Sequence, residues 1–197
     1  MTNLAKRSLL VGAAVAGTAG AAASLGVAQN PRQRMRQKHF PNVPLLTHTG
    51  KAVRFYDDVL KDKKVVINFM YTVCSGICTP VTQNIREARQ LLGAFGNDIH
   101  FYSISLTPLD DDPEALRAYR QAHGIGLGWT FLTGKPENIE RVRRGMGFAQ
   151  SDPEQDADIS NHSGMLRIGN EPLTSWGHAS AITSGKGVAR MIRFELT

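Results

Sequence analysis

Cysteine is nearly absent from this 197-residue chain, which holds only Cys74 and Cys78. Two thiols cannot build the network of bridges that holds small secreted domains together. Acidic residues are missing from residues 1–28, and no internal repeat or low-complexity tract follows that stretch. The lack of a repeat excludes solenoid architectures. A basic face is lacking too. The formal charge is +6, but Lys6, Arg7, Arg32, Arg34, Arg36 and Lys38 supply all of it, and from His39 onward the charges cancel. The high pI therefore describes the N-terminal region, and the domain has no surface suited to nucleic acid.

What is there begins with a leader. Lys6 and Arg7 precede Ser8–Ala28, built only of Ala, Gly, Leu, Val, Ser and Thr and ending in the small-x-small pattern Gly26-Val27-Ala28. This reads as an export signal or a membrane anchor over residues 1–28; at about 20 residues it is barely long enough to span. "KRSLL" is similar to a twin-arginine signal with Lys6 in the first arginine position. Residues 29–42 form a basic linker suited to contact with anionic lipid. Its charge lies after the apolar stretch, which opposes simple positive-inside insertion of an uncleaved anchor. The domain, residues 43–197, is expected outside: periplasmic, or anchored to the outer face of the inner membrane.

Along the domain, "VPLLTHTGKAVRFYDD" predicts a hairpin turning at Thr49-Gly50. "KKVVINFMY" and "DIHFYSISL" read as strands covered on both faces. Between them Val81, Ile85, Ala88, Leu92 and Phe95 recur at helical spacing, with Gly96 as the expected stop. "DDDPEALRAYRQAHG" and "KPENIERVRRGMG" are helices with proline near their starts, separated by the short strand "WTFLTG". "HSGMLRIG" is a further strand opened by His162, and "GVARMIRFEL" is compatible with strand or helix. Alternating strands and helices predict an α/β fold, a central sheet with helices on both faces.

This order places Cys74 in the loop at the carboxyl end of a strand and Cys78 at the start of the next helix, the edge where open α/β sheets collect ligands. A helix N-terminus favours thiolate. Thiols four positions apart can close a disulfide or point two sulfurs at one ion. So small a loop would make a weak staple, because it removes little unfolded-state entropy. Soft thiolates suit Cu(I) or zinc, and trigonal Cu(I) needs one more donor. Histidine is the natural third. His39 and His48 precede the sheet core, His100 lies in a strand, His123 near a helix end and His178 in a loop of unassigned structure. His162 follows the acidic loop "SDPEQDADISN", where it can reach toward a neighbouring loop.

Together "VVINFMYTVCSGICTPVTQNI", "FYSISLTPLDDDPEALRAYRQAHG", "WTFLTGKPENIERV" and "DISNHSGMLRI" resemble the Sco (SenC) family. The resemblance implies a thioredoxin-like fold with a hairpin and copper, as Cu(I) or Cu(II), held by Cys74, Cys78 and His162. It implies delivery of copper, or thiol reduction, during assembly of the binuclear copper centre of cytochrome c oxidase or another copper enzyme. A thiol–disulfide reductant would keep the pair open. Asp156 and Asp158 are candidate acceptors for the second ring nitrogen of His162. The rival readings are a thiol–disulfide oxidoreductase, with Cys74 attacking and Cys78 resolving, and a thiol peroxidase of the same fold. The chain departs from the family pattern at Ser75 and Gly76, where Pro and an acid are usual, at Thr79 before Pro80, and at Thr107, where an aspartate is usual.

Overall fold

The computed structural model describes residues 39–74, 76–162 and 164–197; the leader and residues 29–38 of the basic linker lie outside them. Strands β1 (Pro44–Thr47) and β2 (Ala52–Arg54) form the N-terminal hairpin. The second run then leaves the sheet as a π-helical turn, Phe55–Leu60, rather than continuing as strand. Phe55, Tyr56, Val59 and Leu60 are all buried, a helical rather than a period-two pattern. After it come β3 (Lys64–Met70), α1 (Cys78–Leu92), β4 (Ile99–Ser105), α2 (Pro113–Ala122), β5 (Trp129–Thr133), α3 (Pro136–Gly145) and the short α4 (Pro153–Ala157). Strands β6 (Met165–Asn170) and β7 (Ser175–Ser180) and helix α5 (Gly185–Leu196) complete the chain.

One seven-stranded sheet runs in the order β2-β1-β5-β4-β3-β6-β7. Strands β3, β4 and β5 are parallel, while β1, β6 and β7 extend the sheet antiparallel. The alternation of β3 divides the core. Val65, Ile67 and Phe69 face a cluster with the π turn and α3; Val66 and Met70 face α1, α2 and α5. One polar seam crosses the parallel strands: the Trp129 indole N–H donates to Ser103 Oγ at 2.9 Å, and Ser103 donates to Asn68 Oδ1 at 2.7 Å. The buried side chains are thus paired, and they mark a single register.

Three expectations are corrected. Helix α1 ends at Leu92, with Gly93 at φ +53° as its stop, and Gly96 falls in the 3-10 turn that follows. His178 lies in β7, not in a loop. His162 closes a 3-10 turn, Ile159–His162, and the strand opens only at Met165. The last segment is a helix: Val188, Ala189, Ile192 and Leu196 form a buried stripe in the cluster that also holds α1. Among the described residues no helix is long and apolar enough to cross a membrane.

Phe69 is fully buried and meets Phe148 edge-on, ring centroids 4.7 Å apart. Phe69→Ala is expected to cost about 3–5 kcal/mol, read as a lowered midpoint of urea unfolding.

Candidate functional site

The parallel strands end together at one edge. From there β3 runs into Tyr71-Thr72-Val73-Cys74, and Cys78 opens α1. Cys74 is half-buried, Cys78 is buried at 2% exposure, and both are thiols rather than a disulfide. The loop is built by main-chain bonds: Cys74 N–H donates to Tyr71 O at 3.4 Å and Val81 N–H to Ile77 O at 3.1 Å. The two cysteines are not on one helix face, because only Cys78 is helical. Instead Cys74 folds over the helix start.

That position sets the chemistry of Cys74. Burial pushes its thiol up, but hydrogen bonds from the Cys78 side chain, the Tyr71 hydroxyl and the main-chain N–H groups of Cys78 and Gly76 outweigh it. The net result lies below the ordinary thiol value. Tyr71 responds in the opposite direction. Its bond to Cys74, then burial and the nearby charges of Cys74, Cys78 and Asp158, push the phenol up to about 12. Tyr119 closes the other side. Its hydroxyl shares a 2.9 Å bond with Thr82 Oγ1, and burial first, with the thiols and Asp111 adding, raises it to about 12.

The loop carrying His162 comes to the same edge. Its side chain is outside the described residues, as is Ser163, but the backbone places it. Gly164, two residues on, has φ +86°, and a β-carbon built there would lie 3.0 Å from Ile77 Cδ1 and 3.0 Å from Ile182 Cγ1. The left-handed dihedral favours glycine, and a side chain there would crowd both isoleucines. Asp158 is close enough for its charge to be felt at Tyr71. Asp156 is bound into the frame of the loop. Its carboxylate takes two bonds from Arg143, at 2.7 and 2.8 Å, one from Arg144 at 2.7 Å and one from the Gln150 N–H at 2.7 Å. Arg143 is itself buried and also donates to Phe148 O and to Glu140. This network pins the loop before His162 to α3. Among the described residues no three His, Cys, Asp or Glu side chains gather as a metal site, so none of the other five histidines joins the cysteines. His48 is held between the Phe131 N–H and Arg120, and His178 lies against Arg167.

Sequence reasoning missed Asp111. Of the run Asp110–Asp112, the first is exposed and the last caps α2 by accepting from the Ala115 N–H at 2.8 Å, but Asp111 has no exposure at all. It accepts from Thr72 N–H at 3.2 and 3.3 Å, Thr72 Oγ1 at 2.5 Å, Ser105 Oγ at 2.6 Å and Thr107 Oγ1 at 3.1 Å. Three aspartates before a helix announce a cap; only the fold shows which one turns inward.

Residues 31–192 match the SCO1/SenC family. The chain belongs to that family. The family's SCO1 protein homolog of Bacillus subtilis strain 168 is 26% identical over 123 residues, 61% of this chain, and the match spans 63% of that relative's length. Among solved structures, a SCO1/SenC family lipoprotein from Bacillus anthracis strain Ames aligns with TM-score 0.65 and 25% identity, covering 80% of this chain and 95% of its own. The copper-bound ScoI of Bradyrhizobium japonicum aligns with TM-score 0.59 and 22% identity, over 78% and 96%. The thioredoxin-like family fold is thus present with its flanking helices and hairpin.

Two outcomes follow from the geometry. Tyr71→Phe removes a bond that lowers the Cys74 thiol, so the midpoint of its pH-dependent alkylation should move upward. Asp156 is held well below the usual carboxylate range, first by Arg143 and then by Gln150 N–H. A lowered carboxyl stabilises above its unfolded value and loses that contribution only as pH falls through the folded value. Amide exchange across residues 150–162, corrected for intrinsic rates, should therefore remain slow at about pH 4 in the native chain. It should be fast at neutral pH in Asp156→Asn.

Proposed function

We propose that this chain is an exported copper metallochaperone in which Cys74, Cys78 and His162 hold the metal and pass it to a respiratory copper enzyme, the binuclear copper centre of cytochrome c oxidase. The observation that carries the reading is the meeting of two loops: an unbridged pair of thiols at the carboxyl edge of the parallel strands, with the backbone just beyond His162 packed on Ile77 between them. The donor set fits the cargo. Two thiols at one helix start, with Cys74 lowered toward thiolate by its neighbours, suit a soft ion, and an imidazole supplies the third donor. The copper held by the Bradyrhizobium relative supports this.

Residues 1–28 export or anchor the protein, residues 29–42 tether it and touch anionic lipid, and residues 43–197 carry the cargo. The lipoprotein of Bacillus anthracis supports a membrane-attached domain outside the cytoplasm. A thiol–disulfide reductant keeps the pair open. The lowered, partly accessible Cys74 beside a buried Cys78 also favours a second reading, an oxidoreductase. There Cys74 attacks a partner's disulfide and Cys78 then displaces the partner, leaving a Cys74–Cys78 bridge and two partner thiols.

Titration of the reduced domain with Cu(I) against a competing chelator decides between them. The metallochaperone binds one copper per chain; His162→Ala weakens it by at least about tenfold, roughly 1.4 kcal/mol, and Cys74→Ser or Cys78→Ser abolishes tight binding. No copper uptake by the native chain, or an unchanged constant in His162→Ala, would sink the reading. Disulfide reduction of a partner at full rate without metal would favour the oxidoreductase.

A further inference from the structure

A carboxylate with no contact to water is costly unless every oxygen finds donors. Asp111 finds them on three segments at once. Thr72 lies just past the end of β3, Ser105 is the last residue of β4, and Thr107 belongs to the turn toward α2. Among the described residues no cation pairs with it, so hydrogen bonds alone hold the charge. The Thr72 main-chain N–H is shared between both carboxylate oxygens, and the Thr72 hydroxyl adds the shortest bond of the set at 2.5 Å. Ser105 Oγ in turn accepts from the Thr107 N–H at 3.0 Å. The turn itself is closed by Asp110 and Asp111 N–H groups donating to Thr107 O at 3.0 and 2.9 Å.

Thr72 stands two residues before Cys74. On the far side, Cys78 is fixed in the first turn of α1. Cys74 therefore lies on a short span with both ends held, one by the helix and one by Asp111. We propose that Asp111 is the positioning residue of the thiol pair: through Thr72 it holds Cys74 at the distance from Cys78 that both a shared metal ion and a disulfide require. The proposal deepens the site reading above and shares its cysteines. It differs from a plain stabilising role because it concerns the effective concentration of one sulfur at the other, which sets both equilibria.

The test uses the purified chain carrying its native site. Two constants are measured: the thiol–disulfide equilibrium of Cys74 and Cys78 with glutathione, and the Cu(I) dissociation constant by chelator competition. In the glutathione reaction two protein thiols and one oxidised glutathione become one protein disulfide and two reduced glutathiones. Asp111→Asn keeps the shape but replaces an acceptor with a donor facing hydroxyls and a main-chain N–H. It should lower the disulfide equilibrium constant and raise the copper dissociation constant, each by about tenfold. Thr72→Val, which removes only the hydroxyl, should move both the same way by about threefold, with Thr72→Ser recovering most of the loss. A folded Asp111→Asn whose melting temperature falls while both constants stay within about twofold of native would overturn the proposal. Should Asp111→Asn fail to fold, Thr72→Val decides alone: unchanged constants overturn the proposal, shifted ones uphold it. The glutathione arm contains no metal. A native chain that binds no copper, yet whose disulfide constant responds to Asp111, would reject the metallochaperone and retain the positioning role.

Discussion

A buried carboxylate that has no cation beside it among the described residues is a demanding partner, and Asp111 organises the carboxyl edge of this sheet by that demand. Its oxygens are satisfied only while the ends of β3 and β4 and the turn before α2 converge. Those ends could drift apart in an open sheet, since main-chain pairing stops there. The register of β3 and β4 brings Met70 opposite Ser105, and the Leu106 N–H still donates to Met70 O at 2.8 Å. One residue further the side chains of Thr72 and Thr107 take over the work through a shared acceptor. The thiol loop is thereby an extension of the sheet rather than an independent excursion from it.

Much of this architecture was legible in the residues. "VVINFM" and "FYSIS" are apolar without alternation because both faces of β3 and β4 are covered, and that pattern names a parallel interior strand. Pro113 and Pro136 mark helix starts where a missing N–H costs nothing. Where the reading failed, a tertiary contact decided. Phe55–Asp58 looked like part of the second arm of a hairpin, but Phe55, Tyr56, Val59 and Leu60 share one buried face as a π-helical turn. Gly93 rather than Gly96 stops α1 because Gly93 adopts the positive φ. The last segment had equal claims as strand or helix; α5 won because its stripe covers the face it shares with α1.

The site was legible by halves. Two cysteines at a strand's carboxyl end declare themselves by rarity and place. Their supports do not. Asp111 sits in a run of acids that reads as a solvated cap, and Arg143 in "RVRRG" reads as an exposed helix end. Yet Asp111 has no exposure and Arg143 is buried against Asp156. Nothing in local composition distinguishes an inward charge from an outward one, because its partners lie far along the chain: Thr72 for one, Asp156 for the other. Asp156 shows the same limit from the other side. Its nearness in sequence to His162 drew attention to the imidazole, and nothing there announced that its carboxylate also clamps Arg143 and Arg144.

The two loops that meet at this edge are fastened by different physics. Hydroxyl and amide donors on a buried carboxylate hold the thiol loop, and among the described residues that network contains no cation for salt to screen. Ion pairs hold the loop of His162. The Arg143–Asp156 pair is buried and little affected by ionic strength, while Arg144–Glu140 is exposed and contributes weakly. Each loop therefore has its own anchor, on opposite faces of the sheet. They touch where Gly164 approaches Ile77; the left-handed dihedral there favours glycine, and a β-carbon would crowd the isoleucine. Ile77 in turn packs against the cluster that holds α1, so the contact ties the loop of His162 to the helix that Cys78 opens.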